Sequence, residues 1–181
     1  IMASADKFKI HLTGKGGHAA VPHEAIDTTL IAAQILVNLN LIVSRSVDPL
    51  KRVVITAGTF KTDSNAANVI AQRVLMEGSV RCLDEDMRDL AEKRVAEVVT
   101  GIASAHRAKV DLEYERGYPA TVNHDAYTEY AIEVAKTISS DVVENVEPVM
   151  PSEDFSYMLE ARPGAFIFLG NGDSAMCHHP D

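Results

Sequence analysis

Phe8-Lys9-Ile10-His11-Leu12-Thr13 alternates apolar and polar side chains, the period-two signature of a strand with one buried face. After a glycine-rich turn, residues 24 to 45 carry Ile26, Leu30, Ala33, Val37 and Leu41 at helical spacing, so a long helix follows the strand. A second apolar stripe, Ile31, Ile35, Leu39 and Ile42, makes the helix more widely apolar than one sheet contact requires, and predicts that it also meets something else. Residues 53 to 60 are β-branched and alternate loosely, and Val74, Met76, Gly78, Val80 and Cys82 fall on one side of a clean alternation. These are the second and third strands. Asp84 is placed to cap a helix whose apolar face runs Met87, Leu90, Ala91, Val95, Val98 and Ile102, opposite Arg88, Asp89, Glu92 and Lys93. Val110, Leu112 and Tyr114 then alternate with Asp111, Glu113 and Glu115 as a fourth strand.

The order βαββαβ lets four strands form one antiparallel sheet with both helices on the same face, an α+β ferredoxin-like sandwich over residues 7–116. Gly117-Tyr118-Pro119 supplies turn residues and marks a boundary near 117. Beyond it, Asn123 is predicted to cap a helix running to about 138, and a short helix is predicted to start around Ser152-Glu153-Asp154 and to stop at Pro163-Gly164. Ala165-Phe166-Ile167-Phe168-Leu169 is an unbroken apolar run, the type expected of a strand covered on both faces. Such a strand needs neighbours, so residues 117–181 predict an incomplete piece of a larger α/β domain. Both ends, at Ile1 and at His178-His179-Pro180-Asp181, read as cuts.

Composition narrows the partners. With 46% apolar and 24% charged residues and no low-complexity run, the chain is expected to fold almost throughout. Its net charge of -9, from 26 acidic against 17 basic residues with the basic ones dispersed, argues against nucleic acid. Even Thr28–Val43 is interrupted by Gln34, Asn38 and Asn40, short of the roughly 18 uninterrupted apolar residues of a membrane span, so no membrane is expected. Cys82 and Cys177 lie far apart, which supports neither a disulfide framework nor a zinc ribbon and fits a reducing cytoplasm.

Singly, the chemistry-bearing residues are ambiguous. Gly14-Lys15-Gly16-Gly17-His18 presents an imidazole at a strand-to-helix junction, but lacks the phosphate-loop ending and reads equally as a structural turn. His178 or His179 can serve as one metal ligand, against the simpler reading of a solvated loop pair. Glu153 and Asp154 read as helix-start residues, Arg81 as a solvated or paired arginine on the polar side of its strand, and Asn68 as a turn residue.

In order they say more. Gly-Lys-Gly-Gly-His-Ala-Ala-Val-Pro-His at 14–23, Ile42-Val43-Ser44-Arg45 with Asp48-Pro49, Asn68-Val69-Ile70, Glu77-Gly78-Ser79-Val80-Arg81, Ser152-Glu153-Asp154-Phe155-Ser156-Tyr157, Pro163-Gly164-Ala165 and His178-His179-Pro180 form a series along the chain. This series resembles the metal-dependent amidohydrolase and metallopeptidase family of hippurate hydrolase, aminoacylase, auxin-conjugate hydrolases and carboxypeptidase G. The chain departs from many of these relatives at Ala71, where they have proline, and at Pro151-Ser152, which replaces a small Gly-Ala pair; neither removes a functional group.

The resemblance implies a zinc-peptidase-like α/β catalytic domain interrupted by a ferredoxin-like lid that makes a homodimer, with 7–116 as the lid and 117–181 as the C-terminal part of the catalytic domain. It implies hydrolysis of the amide bond of N-acyl amino acids, or similar carboxylate-bearing amides, by a water activated at two divalent metal ions, Zn, Mn or Co. His18 takes the part of the lid histidine that stabilises the oxyanion in the partner's site, Asn68, Arg81 and Glu153 those of substrate contacts, and His178 that of a metal ligand. Most metal ligands and the catalytic base fall outside the sequence, so the chain alone is expected to hold no complete metal site and to be inactive. The competing reading is a non-catalytic ferredoxin-like dimerisation module.

Overall fold

The computed structural model of the chain describes residues 1–170 and 172. Its main body is a four-stranded, wholly antiparallel sheet ordered β3-β5-β1-β6, where β1 is Asp6–Thr13, β3 Val53–Thr62, β5 Arg73–Cys82 and β6 Lys109–Arg116. Counted among these four alone, the chain order across the sheet is second, third, first, fourth. Two helices, α1 (Thr28–Arg45) and α2 (Glu85–Ala105), contribute to the same buried cluster as Phe8, Ile10 and Leu12 of β1 and Val74, Met76, Val80 and Cys82 of β5. The alternation read from the sequence therefore picks out the helix-covered face, and Lys9, His11, Glu77 and Arg81 lie on the other.

In α1 the stripe Ile31, Ile35, Leu39 and Ile42 is buried, while Leu30 (63% exposed), Val37 (63%) and Leu41 (46%) face outward. By length and composition this helix passes for a membrane span, yet its buried stripe belongs to the core beneath it. The helix starts at Thr28 rather than near 24. Asp27 caps it, accepting from the Thr29 and Leu30 amides at 3.0 and 3.2 Å, and Pro22–Glu24 form a separate 3-10 turn. Truncating a fully enclosed side chain such as Ile35 to Ala is expected to cost about 2–5 kcal/mol.

In α2, Asp84 caps through the Met87 amide at 3.1 Å, as expected, but Arg88 is buried rather than on the polar face. Its partner Asp6 sits beneath it, and a paired arginine can be enclosed where a lone one cannot. Within β5, Gly78 is required by its neighbours: a Cβ there would lie 2.2 Å from the Thr56 carbonyl and 2.3 Å from the Phe8 ring.

The chain enters and leaves this layer side by side. Met2 and Thr121 exchange both backbone bonds at 3.0 Å, Ala5 N donates to Tyr118 O at 2.9 Å, and Ser4 is tied to Cys82 in both directions. Gly117 is needed here, since a Cβ would lie 2.2 Å from Ala5 O.

Residues 118–170 carry α3 (Asp125–Ile138) and α4 (Ser156–Ala161). Asn123 does not cap α3. The cap position is His124, and Asn123 instead brackets Phe166, donating to its carbonyl at 2.9 Å and accepting from its amide at 2.8 Å. α4 begins later than Ser152, after Phe155. The strand expected at 165–169 does not form: among the described residues no neighbouring strand lies beside it, and Ile167, Phe168 and Leu169 are exposed. Along α3, Tyr127, Tyr130, Val134 and Ile138 are also exposed at helical spacing.

Candidate functional site

Two short strands invisible to the periodicity carry the first group of site residues. β2 (Gly17–His18) pairs antiparallel with β4 (Val69–Ile70), setting His18 opposite Val69, and Ala19 N donates to Asn68 O at 3.0 Å. The glycine-rich segment makes this ribbon possible: a Cβ at Gly14 would meet Ile26 O at 2.5 Å, and one at Gly16 would meet Ile70 O at 3.0 Å. Buried Thr28 anchors it to α1, donating through Oγ1 to Ala71 O at 2.8 Å. His18 and Asn68, fifty residues apart in sequence, thus sit on one exposed ribbon beside an open hollow lined by Asp63, Ser64, Ile70 and Gln72.

His18 is exposed, and its Nδ1 accepts the Ala20 amide at 3.1 Å. A neutral imidazole that accepts at Nδ1 carries its proton on Nε2, so the ring presents an Nε2–H donor to whatever approaches the ribbon. The wall of the hollow is braced by Asp63, whose Oδ1 accepts from the Gln72 and Arg73 amides at 3.0 and 3.1 Å and whose Oδ2 accepts from Arg73 Nε at 3.2 Å. The Arg73 amide foremost holds this carboxyl below the ordinary aspartate value.

The second group lies at the other end of β5. Arg81 stands opposite Val54 on the helix-free face, half-buried, and its Nη1 donates to Ser152 Oγ at 2.6 Å. Glu153 follows directly, half-buried, its carbonyl accepting from Thr121 Oγ1 at 3.4 Å and its Oε1 from the Phe155 amide at 3.5 Å. At a strand rise of about 3.3 Å per residue, Arg81 is about 26 Å along β5 from Arg73, which adjoins the His18 ribbon. The four expected site residues among the described residues are therefore not one cluster: His18 joins Asn68, and Arg81 joins the Ser152–Glu153 segment.

His178 lies outside the described residues. Among the described residues no group of three or more His, Cys, Asp or Glu side chains could hold a metal ion. His11 faces only the one carboxylate of Glu113, at 3.6 Å, His106 contacts Gln34 at 2.9 Å and His124 precedes α3, and none of them belongs to a group of three ligand-type side chains among the described residues. Sequence reasoning missed Ser152 as Arg81's partner, because a hydroxyl 71 residues away leaves no periodic signal.

The chain belongs to peptidase family M20/M25/M40, whose family model matches residues 6–181. It is 46% identical over 171 residues to the Bacillus subtilis (strain 168) protein YhaA, named as an amidohydrolase, covering 94% of this chain and 43% of that one. It is 36% identical over 180 residues to the N-acetyl-L-cysteine deacetylase of the same organism, covering 99% of this chain and 43% of that one. The fold is similar to the crystal structure of Bacillus subtilis YXEP, titled a dinuclear metal binding peptidase of the M20 family, with a TM-score of 0.78 and 26% identity over 99% of this chain and 44% of that one. The chain thus spans less than half the length of the relatives it matches.

Proposed function

We propose that this chain is the lid and the C-terminal part of the catalytic domain of an enzyme that hydrolyses the amide bond of N-acyl amino acids. The observation that carries the reading is the His18–Asn68 ribbon, which offers an imidazole Nε2–H donor on an exposed edge. Such a donor suits the oxyanion that forms when water attacks an amide carbonyl, where the loss of one donor costs about a hundredfold or more in kcat. A half-buried arginine at the other end of the sheet suits a carboxylate, which a guanidinium can grip at both oxygens. An N-acyl amino acid has both groups, and the deacetylase relative's substrate by name is one.

Because about 26 Å of strand separates the two groups, a single small substrate cannot touch both in one layer. The reading therefore needs two copies, with His18 and Asn68 serving the partner's cleft and Arg81 and Glu153 their own. Two features support a homodimer: the outward stripe Leu30, Val37 and Leu41 on α1, and the neighbouring edge strand β3, which has no partner on its outer side among the described residues. Read from the β6 edge, the strand order is fourth, first, third, second, the ferredoxin-like order, which supports residues 7–116 as the lid. The exposed apolar residues of α3 and of 167–169 support 117–181 as a piece of a larger catalytic domain.

The described residues do not form a metal site. Divalent ions, which would supply the activated water, would need ligands beyond them, His178 being one; this chain's own part is to donate to the oxyanion and to hold the substrate. The test is turnover of N-acetyl amino acids by the full-length protein supplied with zinc, manganese or cobalt. Hydrolysis that falls about a hundredfold or more in His18→Ala supports the reading. A full-length protein that dimerises and hydrolyses none of them leaves the non-catalytic module instead.

A further inference from the structure

Five of the arginines, Arg52, Arg73, Arg88, Arg94 and Arg116, each hold a carboxylate. Arg45, Arg107 and Arg162 are exposed to solvent. Arg81 differs from both sets: it is half-buried, and among the described residues its one side-chain partner is the Ser152 hydroxyl at 2.6 Å. A positive charge partly removed from water and left without a counter-charge favours the arrival of an anion.

The bond is held at both ends by one rigid piece of backbone. Buried Ser4 donates through its amide to Cys82 O at 2.8 Å and accepts the Cys82 amide on its hydroxyl at 3.2 Å, fixing the residue after Arg81. Its neighbour Ala3, also enclosed, donates to Pro151 O at 3.1 Å, fixing the residue before Ser152. Consecutive residues thus set the backbone distance between the strand end and the segment that meets it, which keeps the hydroxyl within reach of the guanidinium.

We propose that Ser152 is a positioning residue for carboxylate recognition by Arg81. Its oxygen accepts a hydrogen bond from Nη1 and fixes the plane of the guanidinium, leaving Nε and Nη2, which have no hydrogen bond among the described residues, as the paired donors for both oxygens of a carboxylate. The proposal rests on the amide-hydrolase reading above for the identity of the anion, but the orientation of Arg81 by Ser152 stands or falls separately.

The test uses the full-length protein with Ser152→Ala and Ser152→Thr, an N-acetyl amino acid and its carboxamide, which lacks the charge. Ser152→Ala is expected to raise KM for the carboxylate substrate about tenfold, while KM for the carboxamide moves less than about twofold; Ser152→Thr, which keeps the hydroxyl, tracks the parent. A crystal structure of Ser152→Ala is expected to show the Arg81 guanidinium turned from its parent plane. Equal effects on the two substrates, or a guanidinium unmoved in the variant, would overturn the proposal. If the full-length parent hydrolyses neither substrate, the functional reading is lost, and the crystal comparison alone decides whether Ser152 orients Arg81.

Discussion

Asp6 and Arg88 form an enclosed ion pair where the chain crosses into the layer. The carboxylate is inaccessible, the guanidinium is 5% exposed, and Arg88 Nε reaches both carboxylate oxygens, at 3.1 and 3.0 Å, while Nη2 reaches Oδ1 at 2.6 Å. Tyr114 Oη and the Gly117 amide donate to the same carboxylate at 3.1 Å, and Arg88 Nη2 also donates to Gly117 O at 2.9 Å. Burial, and then the charge of Asp6, push the Tyr114 hydroxyl well above the usual phenol range.

Removing Asp6 leaves the enclosed guanidinium with Glu85, at 3.1 Å and 55% exposed, as its remaining carboxylate partner among the described residues. Asp6→Ala is expected to lower unfolding free energy by about 3–5 kcal/mol in urea titration, and Asp6→Leu combined with Arg88→Met by clearly less. A loss below about 1 kcal/mol for the single change would show that Arg88 finds water or another partner.

The proposed homodimer, in which His18 serves the partner's cleft and Arg81 its own, predicts complementation. Full-length His18→Ala and Arg81→Ala homodimers should each be impaired at both sites, but a mixed dimer has one site with an intact Arg81 and a partner's intact His18. Co-expressed variants should therefore regain turnover that neither has alone. Rates no higher than the mean of the two homodimers would mean that both residues serve the same subunit's site.

Asp63 links pH to stability. Its folded pKa lies below the ordinary 3.8, so its contribution is fully present above 3.8 and is lost as pH falls through the lower folded value. Asp63→Asn should thus melt below the parent near neutral pH, and the gap between them should close on acidification past that range. A gap that persists unchanged at the acid end would mean the carboxylate charge is not what the Arg73 and Gln72 amides hold.

Among the described residues Arg107 is the one non-glycine residue with positive φ, at +60°, just past the His106 cap of α2, where Ala108 N closes back on Ala103 O at 2.9 Å. A side chain costs about 1 kcal/mol in this left-handed position and glycine pays little of it. Arg107→Gly is expected to raise thermal stability by a few degrees in calorimetry. A lower melting temperature would show that the arginine makes compensating contacts.

The long elements were legible because burial imposes a period: Val74, Met76, Val80 and Cys82 had to alternate to reach the core, and Asp84 announced its helix. Asp6 and Arg88 were not, since each looks like an ordinary surface charge until the other is placed beneath it. The β2–β4 ribbon escaped because two-residue strands have no period, although Gly14 and Gly16 marked where backbone had to approach backbone. Residues 165–169 misled for the opposite reason: their pattern asks for sheet neighbours that the described residues do not supply. Of the site, His18, Asn68, Arg81 and Glu153 were named from a resemblance, but their division into two distant pairs required coordinates.

The mutual bonding of Met2 with Thr121 has a topological consequence. Since both crossings occupy adjacent tracks, the sheet and its helices form a cassette that a longer polypeptide can carry through a single gap. A residue added to one track alone would have to bulge out of the pair or break it.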